Sequence, residues 1–483
     1  DAIVGINPTR RGVELAHDVR HADCDILITE PMYLDEVANP EFPLPTALVH
    51  DVTTPAYADW LEPHRGADLP AQLPDPENTM LLLFSSGSTG APKAVICTQG
   101  RLGRLTASMV DRVSLHRDSL TYMCLPLFHG HAIMMNLCTA ASVGATVVMA
   151  RKFSASRFVA DVREHDVTYF NYVGRVLSYV LATPADPGDR DNRLEVAFGS
   201  EASPAEVAAF RERFGCEVRE GYGASEGMIR IVPVDGAPVN SLGLPANNVV
   251  AQIRSDDNQE CPPAVFDTEG RLVNAEEATG EIVVMGRGPM FEGYYRNEEA
   301  MADRLKFGGE NFWTGDLGYR DTDGYFYFAG RSSDWLRVDG ENFATAPVER
   351  ILVRYPQFGG AHAYAVPDPK TGDQLMCAVT INPGETFDPA KFREFLDAQT
   401  DLGTKWRPRF VRVVEAVPTT ANGKINKAPL RATAWEATDV WWTLPRSTEY
   451  VAMSDVDKSG IREEFRSAGR ENALPAASLV AQR

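Results

Sequence analysis

Between Phe84 and Lys93 the chain reads Phe-Ser-Ser-Gly-Ser-Thr-Gly-Ala-Pro-Lys. Ser85, Ser86, Ser88 and Thr89 carry hydroxyl donors, and Lys93 adds a point charge. Gly87 and Gly90 let backbone amides approach an anion closely. This is the donor set of a triphosphate cradle. Its spacing, Gly-x-x-Gly-x-x-Lys, is not that of the Walker loop, in which GxxxxGK is followed by Ser or Thr. Read alone, the stretch is also a Ser/Gly-rich turn between two strands.

Other clusters carry complementary chemistry. Glu220-Gly221-Tyr222-Gly223-Ala224-Ser225-Glu226-Gly227 offers a flat aromatic that can stack on adenine, a hydroxyl that can reach a phosphate, and a carboxylate that can hold the magnesium accompanying ATP. Gly199-Ser200-Glu201 follows an apolar run and reads as the end of a strand and a turn facing the nucleotide. In Phe312-Trp-Thr-Gly-Asp-Leu-Gly318, Asp316 can accept both ribose hydroxyls. Tyr122-Met-Cys-Leu-Pro-Leu-Phe-His129-Gly-His131 delivers two histidines at a strand end; His131 reads as structural. Pro418-Thr-Thr-Ala-Asn-Gly423-Lys424 carries a lysine beside Asn-Gly, which by itself is a hairpin signal.

The order and wording of these clusters resemble the adenylate-forming superfamily of acyl-CoA synthetases, adenylation domains and beetle luciferases, over nearly the whole chain. Two departures are Ala94 for the usual glycine after the phosphate loop and Ser225 for the usual threonine. Thr168-Tyr-Phe-Asn-Tyr-Val-Gly174 and the tail Val440-Trp-Trp-Thr-Leu-Pro445 resemble the fatty-acid-transport-protein branch, which comprises very-long-chain and bile-acid CoA ligases. The resemblance implies roles for further residues. His129 would lie by the bound carboxylate and adenylate phosphate, and Arg331 would contact ribose and phosphate. Lys424, matching Pro-x-Thr-x-x-Gly-Lys, would reach the substrate carboxylate and α-phosphate. The hinge of a mobile C-terminal domain would fall at Ser333.

Alternating strands and helices through the first half predict parallel sheets flanked by helices. Examples are Ala2–Ile6, Gly12–His21 and Cys24–Ile28, then Ala145–Met149, Ser154–His165, Val167–Tyr172 and Arg175–Ala182. Pro40 to Pro76 reads as mostly loop. The fold class expected is α/β: a large N-terminal domain with parallel-rich sheets and a small β-barrel-like subdomain, then a small mobile α+β domain. The boundaries expected are 1–332, 333–445 and an extension, 446–483, disordered after Gly469. The abrupt start at Asp1 suggests that the complete protein has a further N-terminal segment.

The 483 residues exceed one ordinary core. With 47 Lys and Arg against 67 Asp and Glu, the formal charge is −20, which argues against nucleic acid or an anionic membrane as a bulk partner. Seven scattered cysteines without a CxxC pair, and no signal peptide, fit a reduced cytoplasmic protein with at most peripheral membrane contact. A homodimer is left open.

The expected activity is an AMP-forming acyl-CoA ligase that uses ATP, Mg²⁺ and coenzyme A on a hydrophobic carboxylic acid, either a long-chain fatty acid or a sterol-type side chain. Pocket walls are expected from Met134–Cys138, Tyr172–Leu177 and Gly221–Gly223. The alternatives are an adenylating enzyme that loads a carrier protein and a non-enzymatic fatty-acid uptake or binding protein. An amino-acid adenylation domain is disfavoured, because Ala132-Ile-Met-Met-Asn136 offers no carboxylate for an α-ammonium.

Overall fold

The protein is represented by a computed structural model. It describes all residues except 1, 8–11, 35–47, 69–70, 86–92, 175, 203, 228, 235, 247–248, 269, 287–290, 332–334, 339–340, 370–371, 400–401, 404, 421–423, 445–446 and 481–483. Its contacts divide it into two units. The first is Asp1–Arg230 with Arg287–Gly309; the second is Ile231–Gly286 with Glu310–Arg483.

The first unit is built on a five-stranded parallel sheet. Its order is Glu217–Glu220, Val196–Ser200, Tyr169–Val173, Leu120–Met123, Thr146–Met149. All five residues of Tyr169–Val173 are buried, as expected of a central strand with both faces covered. Phe158, Phe170, Phe210 and Phe214 pack the helices Ala155–Glu164 and Pro204–Phe214 against it. Beside it, Thr79–Ser85 pairs parallel with Ile3–Gly5 and antiparallel with Lys93–Thr98.

The helix Gln99–Val113 starts where Thr98 accepts a hydrogen bond from the Arg101 amide and ends at Ser114 in the left-handed region, so both termini are marked locally. The apolar run after His131 forms a π-helical segment, Ile133–Cys138, continued by the helix Thr139–Val143 and the strand Thr146–Met149. Asn136 explains the irregularity: it is fully buried, accepts from the Thr121 hydroxyl at 2.7 Å and donates to Asn171 at 2.7 Å.

In the second unit, Ala251–Arg254, Gly280–Val284, Phe312–Arg320 and Phe326–Arg331 form a four-stranded antiparallel sheet. It stands where the barrel-like subdomain was expected. The C-terminal part carries a five-stranded mixed sheet of Phe358–Pro367, Asp373–Ile381, Phe410–Val413, Val440–Thr443 and Tyr450–Ala452.

Two readings differ from the structure. Within the Pro-rich stretch, Leu48–Asp51 pairs parallel with Ile26–Thr29, and Pro55–Leu61 is a helix. Pro55 stands at the first helical turn, where its missing N–H costs nothing, and Thr54 caps the helix by accepting from Tyr57. The residues after Gly469 are also ordered elements: Glu471–Ala473 and the helix Ala476–Val480. Buried Leu474 and a hydrogen bond from Ser478 Oγ to Glu436 Oε1 at 2.7 Å tie them to the core, which polar composition did not reveal. The expected 332/333 boundary and Ser333 lie outside the described residues. Among those described, no helix is long and apolar enough to cross a membrane.

Candidate active site

The carboxyl ends of parallel strands are where open α/β sheets bind ligands, and Gly199, Ser200 and Glu220 stand at two of them. Val196–Ser200 ends at Gly199 and Ser200, and Glu201 follows with φ +77°. Next to it, Glu217–Glu220 places Glu220 opposite Gly199, and the Gly221 amide donates to the Gly199 carbonyl at 3.0 Å. Gly199–Glu201 and Gly221–Glu226 are therefore neighbours. A Cβ on Gly199 would stand 2.5 Å from the Tyr172 ring, so glycine is required by close approach.

Tyr172 donates its hydroxyl to Glu220 Oε1. Burial pushes the Glu220 carboxyl up to about 7, against the lowering effect of the Tyr172 hydroxyl and the Ala202 and Glu201 amides. Arg112 closes this region from behind, donating to the Glu220 carbonyl at 3.1 Å.

The antiparallel register sets Ser85 opposite Lys93, the two ends of the cradle motif. Ser86, Gly87, Ser88, Thr89 and Gly90 between them lie outside the described residues. Lys93 is buried, with its Nζ 3.8 Å from Asp303 Oδ2 and 5.5 Å from the Tyr294 ring centroid. Burial, then the nearby Arg304, lowers its pKa from the usual lysine value.

Glu226 is also buried, and its Oε1 accepts from the Tyr294 hydroxyl at 2.6 Å. Arg304 Nε donates to the same hydroxyl at 3.3 Å. The turn that carries Glu226 is held from below by the fully buried Arg101, which donates to the Ser225 carbonyl and, at 2.7 Å, to that of Ile96. Gly227 has φ +74°, and a Cβ there would stand 2.9 Å from that guanidinium.

Tyr222 and Ser225 lie with Glu226 on one short segment, and Ala224 begins its turn, its carbonyl accepting from the Gly227 amide at 2.8 Å. His129 caps the helical turn Gly130–Ala132, accepting from the His131 amide at 3.2 Å. The His131 ring stacks on Phe198 at 6.1 Å.

Asp316, Arg331 and Lys424 belong to the second unit. Asp316 is buried and pairs in register with Arg331 across the sheet. The strand is irregular just before it: its register against Gly280–Val284 shifts between Trp313 and Leu317, Gly315 has φ +75°, and the Gly315 amide donates to Glu281 Oε1 at 2.6 Å. Lys424 sits on a hairpin in which Thr419 bridges Ile425. The Thr420 amide donates to the Lys424 carbonyl at 2.7 Å, and the Lys424 amide donates to Thr420 Oγ1 at 3.2 Å.

Sequence reasoning missed Tyr294, Arg304 and Arg101. A tyrosine in Gly293-Tyr-Tyr295 carries no local signal that its hydroxyl will meet a carboxylate 68 positions earlier.

The first unit thus holds a buried lysine, Lys93, and a buried carboxylate, Glu226, both beside Tyr294. The AMP-binding enzyme family matches residues 2–295, and its C-terminal domain matches residues 347–424. The chain belongs to the AMP-binding enzymes, within the adenylate-forming superfamily.

It is 44% identical over 477 residues to the steroid-22-oyl-CoA synthetase of Rhodococcus jostii (strain RHA1), covering 98% of this chain and 85% of that one. It is 40% identical over 444 residues to the medium/long-chain-fatty-acid–CoA ligase FadD17 of Mycobacterium tuberculosis (strain ATCC 25618 / H37Rv), covering 92% and 84%. Among solved structures, an ATP-bound RpMatB-BxBclM chimera, B3, superimposes with a TM-score of 0.76 at 21% identity, over 90% of this chain and 84% of that one, a likeness of fold.

Proposed function

We infer that the protein is an ATP-dependent, AMP-forming acyl-CoA ligase for a hydrophobic carboxylic acid. The observation that carries this reading is the meeting of Gly199–Glu201 with Gly221–Glu226 at one edge of the parallel sheet, beneath a chain 44% identical to a CoA synthetase over nearly its full length. Adenylation must bring a carboxylate against an anionic triphosphate, so neutralising and aligning the two is the task. Lys93 supplies buried positive charge at the mouth of the phosphate loop, where Ser85 to Gly90 would wrap the phosphates. Tyr222 offers a face to adenine, and Ser225 a hydroxyl to the α-phosphate. Asp316 accepts the ribose hydroxyls, with Arg331 beside it. Lys424 draws the substrate carboxylate to the α-phosphorus, and His129 borders that carboxylate. Coenzyme A thiol then displaces AMP, with the C-terminal domain turning about Ser333.

Among the described residues no group of three His, Cys, Asp or Glu could hold a metal by itself. Glu226 is a single carboxylate, which suits Mg²⁺, an ion that binds through one or two carboxylates together with substrate phosphates. Glu226 would hold it there, and the ion would neutralise phosphate charge. The acyl chain would lie against Met134–Cys138, Tyr172–Leu177 and Gly221–Gly223, surfaces suited to a steroid-type side-chain acid and, as the second reading, a medium- or long-chain fatty acid. The enzyme would act in the cytoplasm.

Pyrophosphate release across a panel of C22 steroid acids and graded fatty acids, with free CoA thioester measured as product, tests the reading. Turnover of steroid acids to thioester is expected. Pyrophosphate release without thioester would instead point to a carrier protein as acceptor, and no acid-dependent release would leave an uptake or binding protein.

A further inference from the structure

The Glu226 carboxylate is buried, yet among the described residues the Tyr294 hydroxyl is its hydrogen-bond partner, at 2.6 Å on Oε1. Tyr294 is buried too. A phenol has one proton to give. Arg304 Nε donates to the Tyr294 oxygen at 3.3 Å, which leaves the hydroxyl proton directed at Glu226.

The tyrosine is fixed independently of that bond. Tyr294 bridges Val95, the Ile96 amide donates to the Gly293 carbonyl at 3.1 Å, and the Tyr295 amide donates to the Ala94 carbonyl at 2.8 Å. Its ring meets Phe291 edge-on at 5.3 Å. Three segments therefore converge: the Glu226 turn, the Gly293–Tyr295 segment bridged to Val95, and the end of the helix Glu298–Arg304.

We propose that Tyr294 is a positioning residue for Glu226: its hydroxyl ties down Oε1 so that Oε2 is presented to the magnesium of MgATP, and Arg304 sets the direction of that hydroxyl. This rests on the reading of Glu226 as the metal-binding carboxylate. Partners that orient a ligating carboxylate contribute about 10–100-fold to metal affinity.

The test is Tyr294→Phe, which keeps the ring and removes the oxygen. Mn²⁺ is titrated by electron paramagnetic resonance in the presence of an α,β-methylene ATP analogue, alongside the Mg²⁺ dependence of pyrophosphate release. The variant is expected to bind Mn²⁺ about 10-fold or more weakly and to need correspondingly more Mg²⁺. Thioester formation from supplied acyl-adenylate should stay near the parent rate. Unchanged Mn²⁺ binding in Tyr294→Phe, with binding lost in Glu226→Gln, overturns the positioning role and leaves the metal reading standing. Unchanged binding in Glu226→Gln overturns both. Should Tyr294→Phe melt early, Arg304→Leu decides: weakened Mn²⁺ binding supports the relay, and parent-like binding overturns it.

Discussion

Asp316 stands directly opposite Arg331 in the antiparallel pairing of Phe312–Arg320 with Phe326–Arg331. Two residues assigned by motif to the same ribose are thus cross-strand neighbours, set by one register. Asp316→Ala should raise the KM for ATP by roughly 10–100-fold, since hydrogen bonds to a charged group contribute about 1.5–3 kcal/mol. A folded variant with unchanged ATP dependence removes Asp316 from the nucleotide site.

Lys424→Ala separates the two half-reactions. Loss of a positioned charge should slow adenylate formation by roughly 10²–10³. Thioester formation from synthetic acyl-adenylate and CoA should be nearly untouched. Equal damage to both steps would show that Lys424 serves no adenylation-specific role.

Glu220 makes stability depend on pH. Its folded pKa, about 7, lies above the ordinary carboxylate value, so the folded state holds a proton that the unfolded chain has released. Stability is therefore fullest at low pH and falls as pH rises from roughly 4.5 to 7, by at most about 1.4 kcal/mol per pH unit. Glu220→Gln keeps the acceptor for Tyr172 and removes the titration. Melting temperatures of parent and variant should diverge across this window and run parallel above it. Parallel curves from pH 5 to 8 would exclude the raised pKa.

Gly199→Ala tests the close approach of the strand Val196–Ser200 to its neighbour. The new methyl would fall 2.5 Å from both the Tyr172 ring and the Tyr172 carbonyl oxygen, and backbone cannot move away cheaply. Overpacking of this kind typically costs about 1–3 kcal/mol. Urea unfolding should show that loss, and ATP affinity should fall with it. A variant as stable as the parent would mean the strand has slack.

The candidate residues were legible in the sequence because motif chemistry is local. The hydroxyl-rich run ending at Lys93, the Tyr222–Glu226 turn and the Thr-Gly-Asp turn at Asp316 each bring their functional groups together within a few residues. The spacing alone defines the donor set. Hydrophobic periodicity likewise predicted a strand at Val167–Tyr172, found as Tyr169–Val173, and a helix at Ser154–His165, found as Ala155–Glu164. It failed at Leu48–Asp51 and Pro55–Leu61, where prolines at permitted turn positions were taken for loop, and at Ala476–Val480, a short helix held by tertiary burial.

The sequence by itself determined the candidate motifs, the superfamily and the parallel character of the first sheet, since each follows from residues near in the chain. Only the tertiary structure decided what stands behind those motifs. Glu226 owes its hydrogen bond to Tyr294, and its turn owes its support to Arg101, 124 positions before Ser225. Such pairs form where strand register and helix packing leave a buried polar atom facing another, and the cost of burying either one unpaired selects the match.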